Sequence, residues 1–358
     1  MRVYFIGGSY LSCQYVRCLI PTIAGGWDGD KTSLRQPKRP AQEMMKGAMA
    51  ADVIVFHRPI QKEMYEAALL LKQAGKKIVM DNDDTYRSDS GVPVQMFGKD
   101  RELLDKAINK IDEALKRFAG ICDMVTVTTE FLKKEYQEYC KNVVVLPNCV
   151  DLDDWEEPAV NDTGKIRLGI VGSVASNLDY KNIIPLLDKL KERKDVQIVL
   201  LALPAKHPSM VEARKMYEPE IKFWEQYDVE WHPFMTQVDY LPFLANLKLD
   251  IMLIPRDDNY FNRCKSNLKF LEASMCKMAT VAQSFPDGNS PYEVDKDDVE
   301  NLVLATDSQD WVDKVIDLLD NKNKLDILKE KAYRHVKDKY NIENNIIKWK
   351  EAYSTILN

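Results

Sequence analysis

Lys265, Lys269 and Glu272 stand at i, i+4 and i+7 in the run IPRDDNYFNRCKSNLKFLEA, which closes on Ala273. On a helix this spacing stacks two cations and a carboxylate on one face, while Leu268, Leu271 and Met275 take a face that can turn to a core. The apolar stretch 251–254 ahead of them fits a buried strand, and the Pro255 to Cys264 stretch reads as a loop rich in charge and turn formers. Free backbone N–H groups and the positive end of a helix dipole make such a junction an anion site. The adjacent carboxylate can accept hydrogen bonds from sugar hydroxyls. A nucleoside diphosphate satisfies both demands. The same spacing also describes a solvated Lys/Glu face held by i, i+3 pairing, so spacing alone leaves both readings open.

Further groups with chemical potential follow other apolar runs. After the first run come Gly7, Gly8 and Ser9, where glycines permit a tight turn and close approach of a ligand. Positions 9 to 12 are Ser, Tyr, Leu and Ser, so the GxGxxG spacing of a dinucleotide site is incomplete. His57 and Arg58 follow VIVF, where Arg58 can meet an anion or pair with a nearby acid. Asp81, Asp83 and Asp84 follow KIVM; three carboxylates so close repel unless they bind metal, accept from sugar hydroxyls or face basic groups. Gly172 and Ser173 follow IRLGIV, with Lys181 at the next helix, and their N–H groups can approach a phosphate. Histidine chemistry finds less support. There is no GxSxG elbow; His207 and His335 read as surface residues, and His232 as a pocket or core residue.

The elements that must position these groups alternate. Short β-branched runs at 2–6, 53–56, 77–80, 124–128 and 143–146 predict strands, and 63–73 and 103–118 predict helices. Strand and helix in alternation imply right-handed crossovers and a parallel sheet covered on both faces. The stretch 147–165 is polar and without period. Strands at 166–171, 197–203, 229–231, 251–254, 280–282 and 302–304 then restart the pattern. The expected architecture is α/β, with two doubly wound Rossmann-like domains at 1–150 and 166–340, a linker at 151–165, and a last helix within 341–358. In such sheets ligands bind beyond the carboxyl ends of the strands, where the groups named above lie.

Composition sets the bounds. A chain of 358 residues is long for one core, so two domains are the default. A net charge of -6 gives no general attraction to nucleic acid or anionic membranes, and any phosphate site must be local. The seven cysteines are scattered without a CxxC pair and read as buried free thiols, with no disulfide framework and no metal site. No stretch has the length of a transmembrane segment and the first residues lack a signal-peptide pattern, so a cytoplasmic location is expected.

Taken together, KSNLKFLEA after DIMLIP, LPNCVDLDDW at the domain junction and DNDD after a strand resemble bacterial glycosyltransferases of the GT-B fold. More narrowly, they resemble the retaining, nucleotide-sugar-dependent group related to family-four enzymes. Tyr15, Arg17 and Pro21 are similar to the N-terminal pattern of one subgroup. The resemblance implies that Lys265, with the turn of Ser266, Asn267 and Leu268, holds donor phosphates, and that Glu272 binds the ribose. It matches Gly172 and Ser173 to the glycine turn, and it implies a final helix crossing back to the first domain. Two departures stand out. Many relatives carry a sugar-orienting Glu where this chain has Cys264, which leaves Asp257 or Asp258 to substitute. Many also place an Arg after the glycine turn and a Lys six residues on, whereas here Lys181, Arg58 and Arg263 must share the phosphate charge with Lys265.

On this reading Lys265 stabilises a departing nucleoside diphosphate, and Asp83 or Asp84 orients the acceptor hydroxyl or takes its proton. Gly8, Ser9, Tyr15, Arg17, Arg58 and Asp81 line the acceptor side or cleft. No metal or cofactor is expected beyond the nucleotide sugar as co-substrate, and the acceptor class implied is a glycan or lipid-linked glycan. Nucleic acid enters only as an acceptor, through a modified base, with Lys31, Arg35, Lys38 and Arg39 either a basic groove or a mobile acceptor loop. A nicotinamide oxidoreductase and a non-catalytic two-domain binding protein are the alternatives from other classes.

Overall fold

The computed structural model describes residues 1–7, 12–33, 35, 37–91, 101–172, 179–201, 215, 217–233, 235–293 and 301–357. The first sheet holds β1 (Val3–Gly7), β2 (Asp28–Gly29), β3 (Val53–His57), β4 (Lys77–Asn82), β5 (Met124–Val127) and β6 (Val143–Val145). All neighbours pair in parallel, in the order β2-β1-β3-β4-β5-β6. The second holds β7 (Ile166–Val171), β8 (Val196–Leu201), β9 (Val229–His232), β10 (Ile251–Ile254), β11 (Ala279–Gln283) and β12 (Val303–Ala305). It too is parallel, in the order β12-β11-β10-β7-β8-β9. Every residue of β1, β3, β5, β10 and β11 is buried, which is why these strands read as continuous apolar runs and not as alternating ones.

Strand order reverses between β1 and β3 in the first sheet and between β7 and β10 in the second. These switch points open the crevices in which doubly wound sheets bind ligands. Four elements of the first domain were not anticipated from the sequence: the helical stretch from Ser12 to Gly25 with a π turn at Tyr15–Leu19, the two-residue β2, the helix Ala41–Ala50 and the helix Glu130–Tyr136. Ala41–Ala50 buries Ala48 alone, so its apolar period is faint. The stretch taken as a loop up to Cys264 ends instead as a short helix, Tyr260–Cys264, because the Asn259 side chain caps it by accepting from Asn262 N at 2.8 Å.

The domains share a core. One apolar cluster joins Val3, Phe5 and Val55 of the first sheet, Val150 at the junction, and Met252 and Phe270 of the second domain. Ile346, Trp349 and Tyr353 of the helix Ile342–Ser354 complete it. Tyr353 lies against Phe5 and Trp27, with ring centroids 6.5 and 5.7 Å apart, so the last helix does cross back to the first domain. Where the chain passes between domains its two crossings touch: Val150 N donates to Tyr340 O and Ile342 N donates to Val150 O, both at 2.9 Å. No helix among the described residues is long and apolar enough to cross a membrane.

Trp349→Ala would remove a fully buried ring from this shared core and should cost about 3–5 kcal/mol, seen as a lower urea midpoint. An unchanged midpoint would show that the final helix does not support the core.

Candidate active site

The first domain's contribution is built on β3, β4 and the π turn. Arg17, 1% exposed, donates to both oxygens of Asp81, at 3.0 and 2.6 Å, and also to Leu146 O at 2.6 Å and Asn148 Oδ1 at 3.2 Å. Thr126 Oγ1 adds a bond to Asp81 at 2.7 Å. Arg17 and Asp81 thus complete each other beneath the cleft and support its floor. Tyr15 is likewise buried, its hydroxyl donating to Asp154 at 2.5 Å. Above them, Arg58 adopts a left-handed backbone, φ 46°, a conformation that costs a non-glycine residue about 1–3 kcal/mol and gathers at functional sites. It directs Nε to Asp83 at 2.6 Å and Nη2 to Cys13 Sγ at 3.4 Å, and lies 3.6 Å from Asp84. His57 Nε2 is 3.1 Å from the same Asp83 oxygen, and its Nδ1 has no partner among the described residues. Burial works to raise the Asp83 carboxyl, but Arg58 and His57 outweigh it and hold it well below the usual carboxylate range. Burial and then Asp83 push the Cys13 thiol up to about 12, so the sulfur stays protonated.

The second domain answers with the segment after β10. Lys265 is not on the helix with Lys269 and Glu272. It sits in an extended turn, φ -63° and ψ 155°, between Tyr260–Cys264 and the helix Leu268–Met275, so the expected single face of three charges does not form. The turn sends Lys265 Nζ across the seam to both Asp84 oxygens, at 2.8 and 3.0 Å, with Nζ 3.9 Å above the Phe261 ring. Lys269 and Glu272 do form the i, i+3 pair, at 2.7 Å, and Tyr240 donates to the same Glu272 oxygen at 2.8 Å. Ser266 Oγ accepts from Asn148 at 2.8 Å, and Asn267 donates to Tyr340 at 3.0 Å. Leu268 packs at the edge of the shared core.

Cys264, the position at which the resemblance leads one to expect a Glu, is fully buried in the first domain's apolar cluster, and its carbonyl accepts from Thr129 at 3.3 Å. A carboxylate in that seat would be desolvated without a partner. Asp258 cannot readily stand in for it, because both its oxygens are gripped by Arg263 at 2.7 and 2.9 Å. Arg263 is also held by Asp287 at 2.5 Å, which occupies the cation assigned to phosphate. Lys181 is exposed in the turn Lys181–Ile183, and Gly172 follows β7 directly. Gly8, Ser9 and Ser173 lie outside the described residues. His335 is not a free surface group but lies between the rings of Phe270 and Tyr340.

The first glycine turn is already filled. A Cβ on Gly7 would fall 1.4 Å from Gln14 Nε2, and Gly7 N donates to the Asp30 carboxylate at 2.9 Å. A carboxylate therefore sits where a dinucleotide phosphate would need the N–H. Sequence reasoning passed over Asn148, Thr126, Asp179 and Arg256. Arg256 carried a usable signal, since it stands two residues beyond β10.

No protein-family model and no curated protein matches the sequence. Solved structures match its shape. HepE from Anabaena, crystallised with UDP and glucose, superposes with a TM-score of 0.65 at 13% identity over 99% of both chains. A glycosyltransferase from Rickettsia africae gives 0.62 at 12% identity over 100% of this chain and 99% of that one. A putative UDP-N-acetylglucosamine 2-epimerase from Listeria monocytogenes gives 0.51 at 12% identity over 99% and 96%. The architecture is therefore GT-B: two parallel-sheet α/β domains with a crossing terminal helix.

The Asp83 pairing carries a pH signature. Its folded pKa lies below the unfolded value of roughly 3.9, so its stabilisation is complete above that pH and fades as pH falls toward the folded value. Asp83→Asn should destabilise by about 3–5 kcal/mol near pH 7, and the gap to the parent should close below about pH 4. A melting-temperature difference that stays constant from pH 7 to pH 2.5 would contradict this.

Proposed function

We propose that the chain is a glycosyltransferase that moves a sugar from a nucleoside-diphosphate donor to an acceptor hydroxyl. The observation that carries this is the Lys265–Asp84 pair, in which a cation at a helix start of one domain meets a strand-end acid of the other. Both flank the switch-point crevices, and the fold is shared with a protein crystallised with UDP and glucose. Asp84 pairs with Lys265 at 2.8 Å. A donor diphosphate exchanges with it: the phosphate takes Lys265, and the released Asp84 faces the acceptor hydroxyl, to orient it or take its proton.

As the sugar–phosphate bond breaks, negative charge grows on the departing diphosphate. Lys265 and the N–H groups ahead of Leu268 stabilise it in place without reorganising, and this contact is worth about 2.7–4 kcal/mol. On that account we place the reaction among metal-independent transfers; the resemblance carried by KSNLKFLEA supports a retaining outcome, with Glu272 toward the ribose, Asp257 toward the sugar, and a glycan or lipid-linked glycan as acceptor. The acidic net charge of -6 counts against DNA as that acceptor. The carboxylate at Gly7 counts against a nicotinamide enzyme. Seven free thiols fit a reducing, cytoplasmic setting.

A thermal-shift panel of UDP, GDP, ADP, CDP and TDP sugars should raise the melting temperature with one base series, and Lys265→Ala should lose most of that shift. Transfer further requires that nucleoside diphosphate release depend on added acceptor saccharide. Stabilisation by no member of the panel would sink the proposal.

A further inference from the structure

We infer that Arg256 is a second phosphate-binding cation on the donor side, supplied from β10 because the glycine turn after β7 offers no arginine; the inference rests on the nucleotide-sugar reading. The placement comes from topology. The second sheet switches direction between β7 and β10. Arg256 follows β10, and Asp179 stands eight residues beyond the end of β7. Arg256 Nη1 lies 3.6 Å from Asp179 Oδ2, and Tyr292, beyond β11, adjoins the guanidinium. The exits of three adjacent strands thus converge on one arginine.

Among the described residues its valences are not all filled. A guanidinium carries five N–H donors. Arg256 is 5% exposed, and among the described residues its Nε has no hydrogen-bond partner and its one ion pair is long. The Asp179 oxygen it faces already accepts from Asn262 Nδ2 at 2.9 Å. Burial pushes the Asp179 carboxyl up against the pull of Arg256, as expected where the pair is not tight. Arg58, Arg263 and Lys269 are committed at bonding distance, Arg58 to Asp83, Arg263 to Asp258 and Asp287, and Lys269 to Glu272. A buried arginine with a vacant donor is costly to keep unless an acceptor arrives. A diphosphate oxygen is the acceptor that planar guanidinium geometry suits best. Asn262 supplies the link to the proposed leaving-group site, since it bonds Asp179 and stands three residues ahead of Lys265. The two cations thereby bracket one short helix, Arg256 in its entry loop and Lys265 in the turn that leaves it.

The test separates phosphate recognition from folding. Titrate UDP and uridine into the full-length protein, its Arg256→Lys and Arg256→Gln variants, and Arg263→Lys as comparison. If the sugar panel selects another base, use that base's diphosphate and nucleoside. Arg256→Gln should lose about tenfold or more of the preference for diphosphate over nucleoside, with nucleoside affinity unchanged. Arg256→Lys should recover part of the preference, and Arg263→Lys should keep it. A parental ratio retained in both Arg256 variants would overturn the inference, as would a loss that falls equally on nucleoside and diphosphate. Failure of the parent protein to bind any diphosphate would overturn the nucleotide-sugar reading itself, and it would show before any variant is compared.

Discussion

The buried pair of Arg17 and Asp81 is the contact on which the rest of the site rests. Two charges almost wholly removed from water are retained only with near-complete hydrogen bonding, and here the guanidinium meets both carboxylate oxygens, a carbonyl and an amide. Those partners come from the π turn, the end of β4 and the domain junction. The pair therefore fixes where the chain leaves the first domain. Asn148, held by Arg17, passes the constraint on by donating to Ser266, the residue next to Lys265. A chain of contacts thus runs from the floor of the first domain to the proposed catalytic lysine of the second.

Around this floor, nearly every charge in the cleft has a designated opposite. Asp83 is saturated by Arg58 and His57, which leaves Asp84 as the carboxylate facing the other domain. Division of labour between adjacent acids is what separates a structural role from a chemical one at DNDD. Cys264 shows the same logic in apolar form: by seating in the first domain's core it anchors the short helix ahead of Lys265 and so aims the turn.

Much of this was legible from residue order. Continuous apolar runs marked most strands because both sheet faces are covered, and the strand-end rule pointed to Arg58, to the acids after β4 and to the segment around Lys265. What escaped depends on partners distant in sequence. Arg17 looked like a cleft residue because nothing local reveals that Asp81, 64 positions on, would enclose it. Lys265 looked helical because i, i+4 spacing to Lys269 is blind to the extended backbone at Lys265, which separates the helix Tyr260–Cys264 from the helix Leu268–Met275. Arg263 looked available because its acids lie on loops whose meeting is a tertiary event. Helix Ala41–Ala50 lacked a broad apolar stripe to announce it.

The mutual bonding of Val150 with Tyr340 and Ile342 bears on how the two halves can move. Two independent tethers would allow one lobe to twist, slide and tilt against the other. Tethers joined at the point of crossing act as a common pivot, and a common pivot favours a single rotation. On such a pivot the seam carrying Lys265 and Asp84 would open as the mouth of a clamshell, along an arc set by backbone bonds and not by the charged groups that line it.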